Sequence, residues 1–193
     1  MITPSHMIYS WALAKATDSQ PNKLRTLTIV AGGLVPDIPT YAFFFVHTIL
    51  LGTSQQLMWD VLYFDSAWSP LITLSHSLLL WPLLLLVATI TKQRLLQWFS
   101  LSALLHASLD FFVHHDDAYR HFWPLTDWRF FSPLSYYDPL YYGSWVNSVD
   151  SIIVIALLAW LGSIYNSKWA KIGIGTLIVL YVFVYIIGWF FRV

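Results

Sequence analysis

The chain has 193 residues, of which 58% are hydrophobic and only 10% charged, with ten basic residues balancing ten acidic ones. Ordinary soluble domains carry roughly 25% charged residues, and a mean hydropathy of +0.61 places this chain among multi-span membrane proteins instead. Zero net charge gives no bulk attraction to nucleic acid, the absence of cysteine excludes disulfides and thiolate metal sites, and because every acidic residue is Asp a zincin motif with its glutamate base is excluded as well.

The opening segment, MITPSHMIYSWALAK, has no basic region ahead of its apolar part and is expected to stay in the mature protein. Thr3–Lys15 reads as a short helix capped by Thr3 or Ser5. It is too short to span and reaches membrane depth only by re-entering. Apolar stretches follow at about Thr26–Leu51, Leu71–Thr91, Leu95–Val113, Ile152–Tyr165 and Ile172–Phe191. A bilayer core takes roughly 20 helical residues, so the Ile152 stretch needs Val149–Ser151 to reach that length. The first stretch is interrupted by Gly32-Gly33 and by Pro36-Asp37-Ile38-Pro39. Proline removes a backbone donor and disfavours helix at the residue before it, which predicts two half-helices meeting at a break that carries Asp37. Such breaks are tolerated at membrane depth where they line a protein cavity. The predicted fold is all-α: one integral-membrane domain over residues 1–193, a polytopic helical bundle of about five spans with a broken first span and a short N-terminal re-entrant helix.

Lys15, Lys23 and Arg25 precede the first run, Lys92 and Arg94 separate the second from the third, and Lys168 and Lys171 separate the fourth from the fifth. Basic residues on alternate connections predict those connections, and the N-terminus, on the inner side. The Asp-richer connections Gly52–Pro70 and Asp116–Val149 then fall outside; Arg120, Arg129 and Arg192 are exceptions. The second outer connection is long and aromatic, from Tyr119 to Trp145. It reads either as an interfacial aromatic belt or as a lid over a site that opens outward.

Ionisable residues inside apolar runs are costly and mark function. Asp110 follows His106 by four residues, which puts both on one helical face. Asp37 and His76 also sit within apolar runs, and His6 opens the first segment. Counted from the nearest inner basic residue, His6 lies roughly 13 Å deep, Asp37 and His106 roughly 18 Å, and Asp110 and His76 roughly 24 Å. A common slab predicts a shared site. Taken singly, His76 reads as a hydrogen-bonded core residue, Asp37 as a helix cap, and His6 as a terminal residue of little meaning. His47 has no helical partner and is read as structural, while His114 continues the His106–Asp110 face as a possible outer ligand. The site is expected to open outward, away from Lys92 and Lys168, because His76 and Asp110 lie nearest the outer surface.

GGLVPDIP, SHSLL, HASLD and FWPL resemble, in order, the Gly-x-Leu-x-Pro-Asp, Thr-His-Ser-Leu, His-x-x-x-Asp and Trp-Pro motifs of the YdjM-like membrane-bound metal-dependent hydrolases, and His6 fits their N-terminal histidine. The resemblance covers about Thr3–Leu125, the core of the site; residues 149–193 add two further spans. A more remote likeness is to zinc-dependent phospholipases C. The resemblance implies a metal-dependent hydrolase. Pro39 stands where the family commonly has a second Asp, which argues against a two-metal site. Ala67, Trp68 and Ser69 stand where it commonly has an Arg, which removes a binder of substrate phosphate or carboxylate.

The expected function is therefore an integral-membrane hydrolase of the cell membrane, multi-pass and of bacterial inner-membrane type. It acts on a lipid or lipid-linked ester or phosphoester through a water activated by one divalent ion, Zn²⁺ being favoured. His6, Asp37, His76, His106 and Asp110 are the candidate metal ligands, with Asp37 or Asp110 as the catalytic base. Membrane lipid is the expected partner and nucleic acid is not. The alternatives are an ion or proton transporter with a His/Asp relay and a non-catalytic membrane protein with a structural His/Asp network.

Overall fold

The computed structural model describes residues 1–17 and 22–190, with side chains to residue 183; Phe191 and Arg192, which the sequence reading includes, lie outside the described residues. The described chain is all-helical. Helix α1 (Thr3–Ala16) is followed by α2 (Lys23–Leu50), α3 (Ser69–Ser75), α4 (Leu80–Ile90), α5 (Arg94–Phe111), α6 (Gly143–Ile164) and α7 (Lys168–Phe190). Among the described residues α2 and α6 are long and apolar enough to cross a membrane, and α3 with α4 makes a third candidate if the bent pair is one span. Helix α6 starts at Gly143, so Val149–Ser151 do extend the short fourth stretch. Leu83, Leu86 and Ile90 on α4, and Ile152 and Ile153 on α6, are exposed, giving these helices apolar outer faces compatible with a membrane.

Helix α1 lies inside the bundle, against α2, α5 and α6. Its expected caps are used elsewhere. The helix begins after Ile2 with no side-chain cap; the Thr3 hydroxyl goes to Asp37 and the Ser5 hydroxyl to Asp150. A polar helix is accepted at the centre because its polar groups find partners there.

Gly32 and Gly33 explain how three helices come so close. A Cβ on Gly32 would lie 2.5 Å from the Phe99 carbonyl oxygen on α5, and one on Gly33 would lie 2.2 Å from Ser10 Oγ and 2.8 Å from the His6 carbonyl oxygen on α1. Only glycine lets α2 touch both neighbours at backbone distance. Ala103 and Ala107 of α5 do the same beside Trp81 of α4.

The break expected at Pro36–Pro39 is mild. Val35–Asp37 is one 3-10 turn inside the continuous α2, and Asp37 makes no cap bond. The sharp break falls instead in the second stretch, where α3 and α4 meet at 54° around Ser75–Leu79. Freed backbone groups at such a break need partners. The Leu78 amide donates to the His121 carbonyl at 2.8 Å, the Ser77 hydroxyl donates to the Trp123 carbonyl at 3.1 Å, and Trp81 Nε1 donates to the Ser75 carbonyl at 2.8 Å. The long connection between α5 and α6 thus folds back and holds the break open at His76.

Candidate metal centre

Three helices, α2, α3 and α5, contribute to the centre, each for a local reason. The 3-10 turn of α2 turns Asp37 inward. His76 is the last turn of α3, released from helix by the break. His106 and Asp110 stack one turn apart on α5. Asp37, His76, His106 and Asp110 are buried, and one nitrogen or oxygen from each lies within 4.8 Å of all the others.

The distances describe a cage. His76 Nε2 is 3.3 Å from Asp37 Oδ1 and 3.7 Å from Asp110 Oδ2. His106 Nε2 is 3.6 Å from Asp37 Oδ1 and 3.3 Å from Asp110 Oδ2. Four ligands at the bond lengths of a tetrahedral zinc site would stand about 3.4 Å apart along each edge. The four His–Asp edges bracket that value, and the other two are within 4.8 Å.

The protons point the same way. His76 Nδ1 is 2.9 Å from the Ile72 carbonyl and His106 Nδ1 is 2.8 Å from the Gly33 carbonyl. A carbonyl only accepts, so each Nδ1 carries the hydrogen, and in a neutral ring Nε2 is left as a lone pair. His106 Nε2 is buried with no hydrogen-bond partner. Two imidazole lone pairs facing two carboxylate oxygens repel unless a cation, either two protons or a metal, lies between them. A backbone carbonyl behind a ligating imidazole is also the outer support usual at metal sites.

The outer carboxylate oxygens are tied back. Thr3 Oγ1 donates to Asp37 Oδ2 at 2.5 Å and accepts from Tyr41 OH at 2.7 Å. His6 Nε2 lies 3.0 Å from Asp110 Oδ1, an oxygen that the Met1 nitrogen also reaches at 2.5 Å. His6 stacks on His106 with ring centroids 3.7 Å apart. The structure therefore places His6 behind Asp110, outside the group of four. His114 Nε2 stands 3.4 Å from the same outer oxygen, with Nδ1 2.7 Å from Asp117. His47 lies away from the centre, its ring 4.7 Å from Phe43 and Nδ1 3.3 Å from Thr53 Oγ1.

A cavity of about 630 Å³ reaches Asp37. Its walls come from Thr3 and Tyr41 and from the two connections expected to be outer, which supply Asp60, Tyr63, Tyr119 and Tyr136. Tyr119 also stacks on His76 at 3.9 Å, nearly parallel. Part of the aromatic connection therefore closes over the centre, while Trp128, Tyr142 and Trp145 are exposed as belt residues would be. Asp37 faces the cavity; Asp110 is 1% exposed.

Sequence reasoning missed Thr3 as a carboxylate partner and Tyr119 as the ring against His76. Neither carries a local signal, since both act across long chain separations. It also missed Arg120, which reaches α3 from the outer connection through Ser69 Oγ at 3.1 Å and Thr73 Oγ1 at 3.4 Å, the helix beside which an arginine was expected from nearer sequence. Asp150 was missed although an Asp within an apolar run is itself a signal. No family model matches the chain, and neither the curated proteins nor the solved structures contain a match. The fold and site define a helical protein with candidate membrane-spanning helices and a buried His/Asp group able to hold a metal ion.

Proposed function

We propose that this chain is an integral-membrane, single-metal hydrolase of lipid or lipid-linked esters or phosphoesters. The observation that carries the reading is the cage: two imidazoles whose Nδ1–H groups are held by backbone carbonyls, which turns both Nε2 atoms toward two carboxylate oxygens at 3.3 to 3.7 Å. The motif resemblance adds support. GGLVPDIP supplies Asp37 and the Gly33 carbonyl, SHSLL supplies His76, and HASLD supplies His106 and Asp110. Histidine and carboxylate together suit Zn²⁺, with manganese and iron as rivals.

A catalytic zinc site keeps one of its positions for water, and the exposure pattern suggests which side chain yields. His76, His106 and the enclosed Asp110 would hold the ion. Asp37, between the cage and the cavity, takes the proton of the attacking water. Thr3, itself held by Tyr41, keeps its outer oxygen occupied, so the inner oxygen is the one presented to water. A bound divalent ion would lower the pKa of that water and polarise the substrate oxygen. Tyr119 packs His76 in place. The apolar helix faces and the basic residues on alternate connections support a multi-pass membrane protein of five spans with an outward-opening cavity, and the motif resemblance supports a bacterial-type cell membrane.

The test is the metal content of protein purified without chelators. One ion per chain is expected, lost in His106→Ala. Sub-stoichiometric metal that does not change in His106→Ala refutes the reading and leaves a proton-balanced His/Asp network.

A further inference from the structure

The cavity in front of Asp37 has an unusual wall. Trp59, Tyr63, Tyr119 and Tyr136 give it aromatic faces. Asp60, Asp116 and Asp117 give it three carboxylates besides Asp37, and no Lys or Arg is among its described lining residues. Two arginines of the outer connection have partners of their own. Arg120 is held by Ser69, Thr73 and Asp127, and the Arg129 guanidinium lies 4.9 Å over the ring of Phe64.

Met1 also lines the cavity, but its ammonium is held by Asp110 at 2.5 Å. A divalent ion would balance Asp37 and Asp110 further inside, and neither cation is paired with Asp60, Asp116 or Asp117, so the outer wall stays negative. His114 takes one oxygen of Asp117 at 2.7 Å; the other, Asp117 Oδ1, is buried with no hydrogen-bond partner. Thr40 Oγ1, also lining the cavity, is buried and unpartnered as well. Aromatic faces with carboxylates attract organic cations, because an ammonium over a ring is drawn to the ring's negative face. The same wall repels a bare phosphate monoester.

We propose that the cavity selects amphiphiles whose head group carries an ammonium, and so that the substrate of the centre is an aminolipid or a choline-type lipid. The ammonium sits among Trp59, Tyr63 and the outer carboxylates, which leaves the neighbouring ester or phosphodiester next to Asp37. The substrate assignment rests on the hydrolase reading; the selectivity does not.

Native mass spectrometry of the detergent-solubilised protein tests it, with hexadecylphosphocholine and hexadecyl phosphate as probes, on zinc-loaded and on chelated samples. The expected result is at least about tenfold tighter retention of hexadecylphosphocholine, about 1.4 kcal/mol, in both samples. Asp60 and Asp116 are exposed, so Asp60→Lys and Asp116→Lys preserve the fold, checked by helical circular dichroism, and erase or reverse the preference; Asp60→Asn with Asp116→Asn reduces it. Equal or tighter retention of hexadecyl phosphate, or a preference untouched by all four substitutions, overturns the proposal. Ammonium preference in a protein that binds no metal would sink the hydrolase reading alone. Stoichiometric metal without the preference would sink this proposal alone.

Discussion

Two buried carboxylate clusters stand within the same bundle, and they are built on opposite principles. At Asp150 of α6 both oxygens receive hydroxyl hydrogens: Ser5 Oγ donates at 2.6 Å, Tyr9 OH donates at 2.7 Å, and Tyr181 OH stands 3.1 Å from Ser5 Oγ. The cluster sits beside the apolar contacts of Ile8, Val154 and Leu158 that join α1, α6 and α7. It is a satisfied network, and it pins one face of α1. At Asp37 and Asp110 the outer oxygens take hydroxyl, amine and imidazole partners, while the inner ones face the Nε2 atoms of His76 and His106 at 3.3 to 3.7 Å. Between those atoms the charge is balanced either by a proton on each ring or by a shared metal ion. A carboxylate met by donors is a fastener, whereas a carboxylate met by lone pairs is a place for a cation. Helix α1 serves both, with Thr3 and His6 toward one cluster and Ser5 and Tyr9 toward the other.

The contrast is broken most directly by ligand removal. His106→Ala and Asp110→Asn are expected to lose the bound metal and the thermal stabilisation it provides, while Asp150→Asn keeps the metal and costs about 1–3 kcal/mol of stability through its disturbed hydroxyl bonds. Elemental analysis with thermal melts, with and without a chelator, measures both. Metal loss in Asp150→Asn with retention in His106→Ala would invert the assignment.

Thr3→Val sharpens it. The substitution keeps the shape of the side chain and removes the donor to the outer oxygen of Asp37. Metal affinity should fall about 10–100-fold, read from competition with a chromophoric chelator, while the Asp150 cluster and the melting of metal-free protein change little. An unchanged affinity would mean that Asp37 does not depend on α1.

The outer connection provides a smaller, pH-dependent contrast. Burial against Phe111 and its neighbours pushes the His121 imidazole from 6.5 down to about 4. The folded protein keeps this ring neutral while the unfolded chain takes a proton below about pH 6.5. Stability therefore drops as pH falls from 6.5 towards 4, at up to about 1.4 kcal/mol per pH unit. His121→Phe should flatten that part of the curve in denaturant titrations; an unaltered slope would show that another group governs it.

The least effect is expected at His47. His47→Ala removes one 3.3 Å contact to Thr53 and a ring contact, costs about 1 kcal/mol or less, and leaves metal content as it was. Loss of metal there would place the centre elsewhere.

Several features were legible in the chain itself. Composition and apolar runs determine an all-helical architecture with candidate spans. The four-residue spacing of His106 and Asp110 determines that they share a face, because helical period alone decides it. Common depth joined Asp37 and His76 to them for the same reason, since rise per residue is a local quantity. Where local rules compete with partners across the bundle, the tertiary structure decided. Thr3 and Ser5 have the chemistry of helix caps, yet carboxylates on other helices take their hydroxyls. Pro36 and Pro39 announce a break, yet only a 3-10 turn results, because a proline in the first turn of a segment removes a donor that needs no partner. The sharp break at His76 has a local signal in Pro82, which cannot bond the Leu78 carbonyl one turn back, but its bend is held by the His121 and Trp123 carbonyls, more than forty residues away, which take up the groups it frees. Which histidine faces the cage and which stands behind a carboxylate was settled in the same way, by the close crossing of α1, α2 and α5 at Gly32 and Gly33, a contact between distant segments that no spacing within one helix encodes.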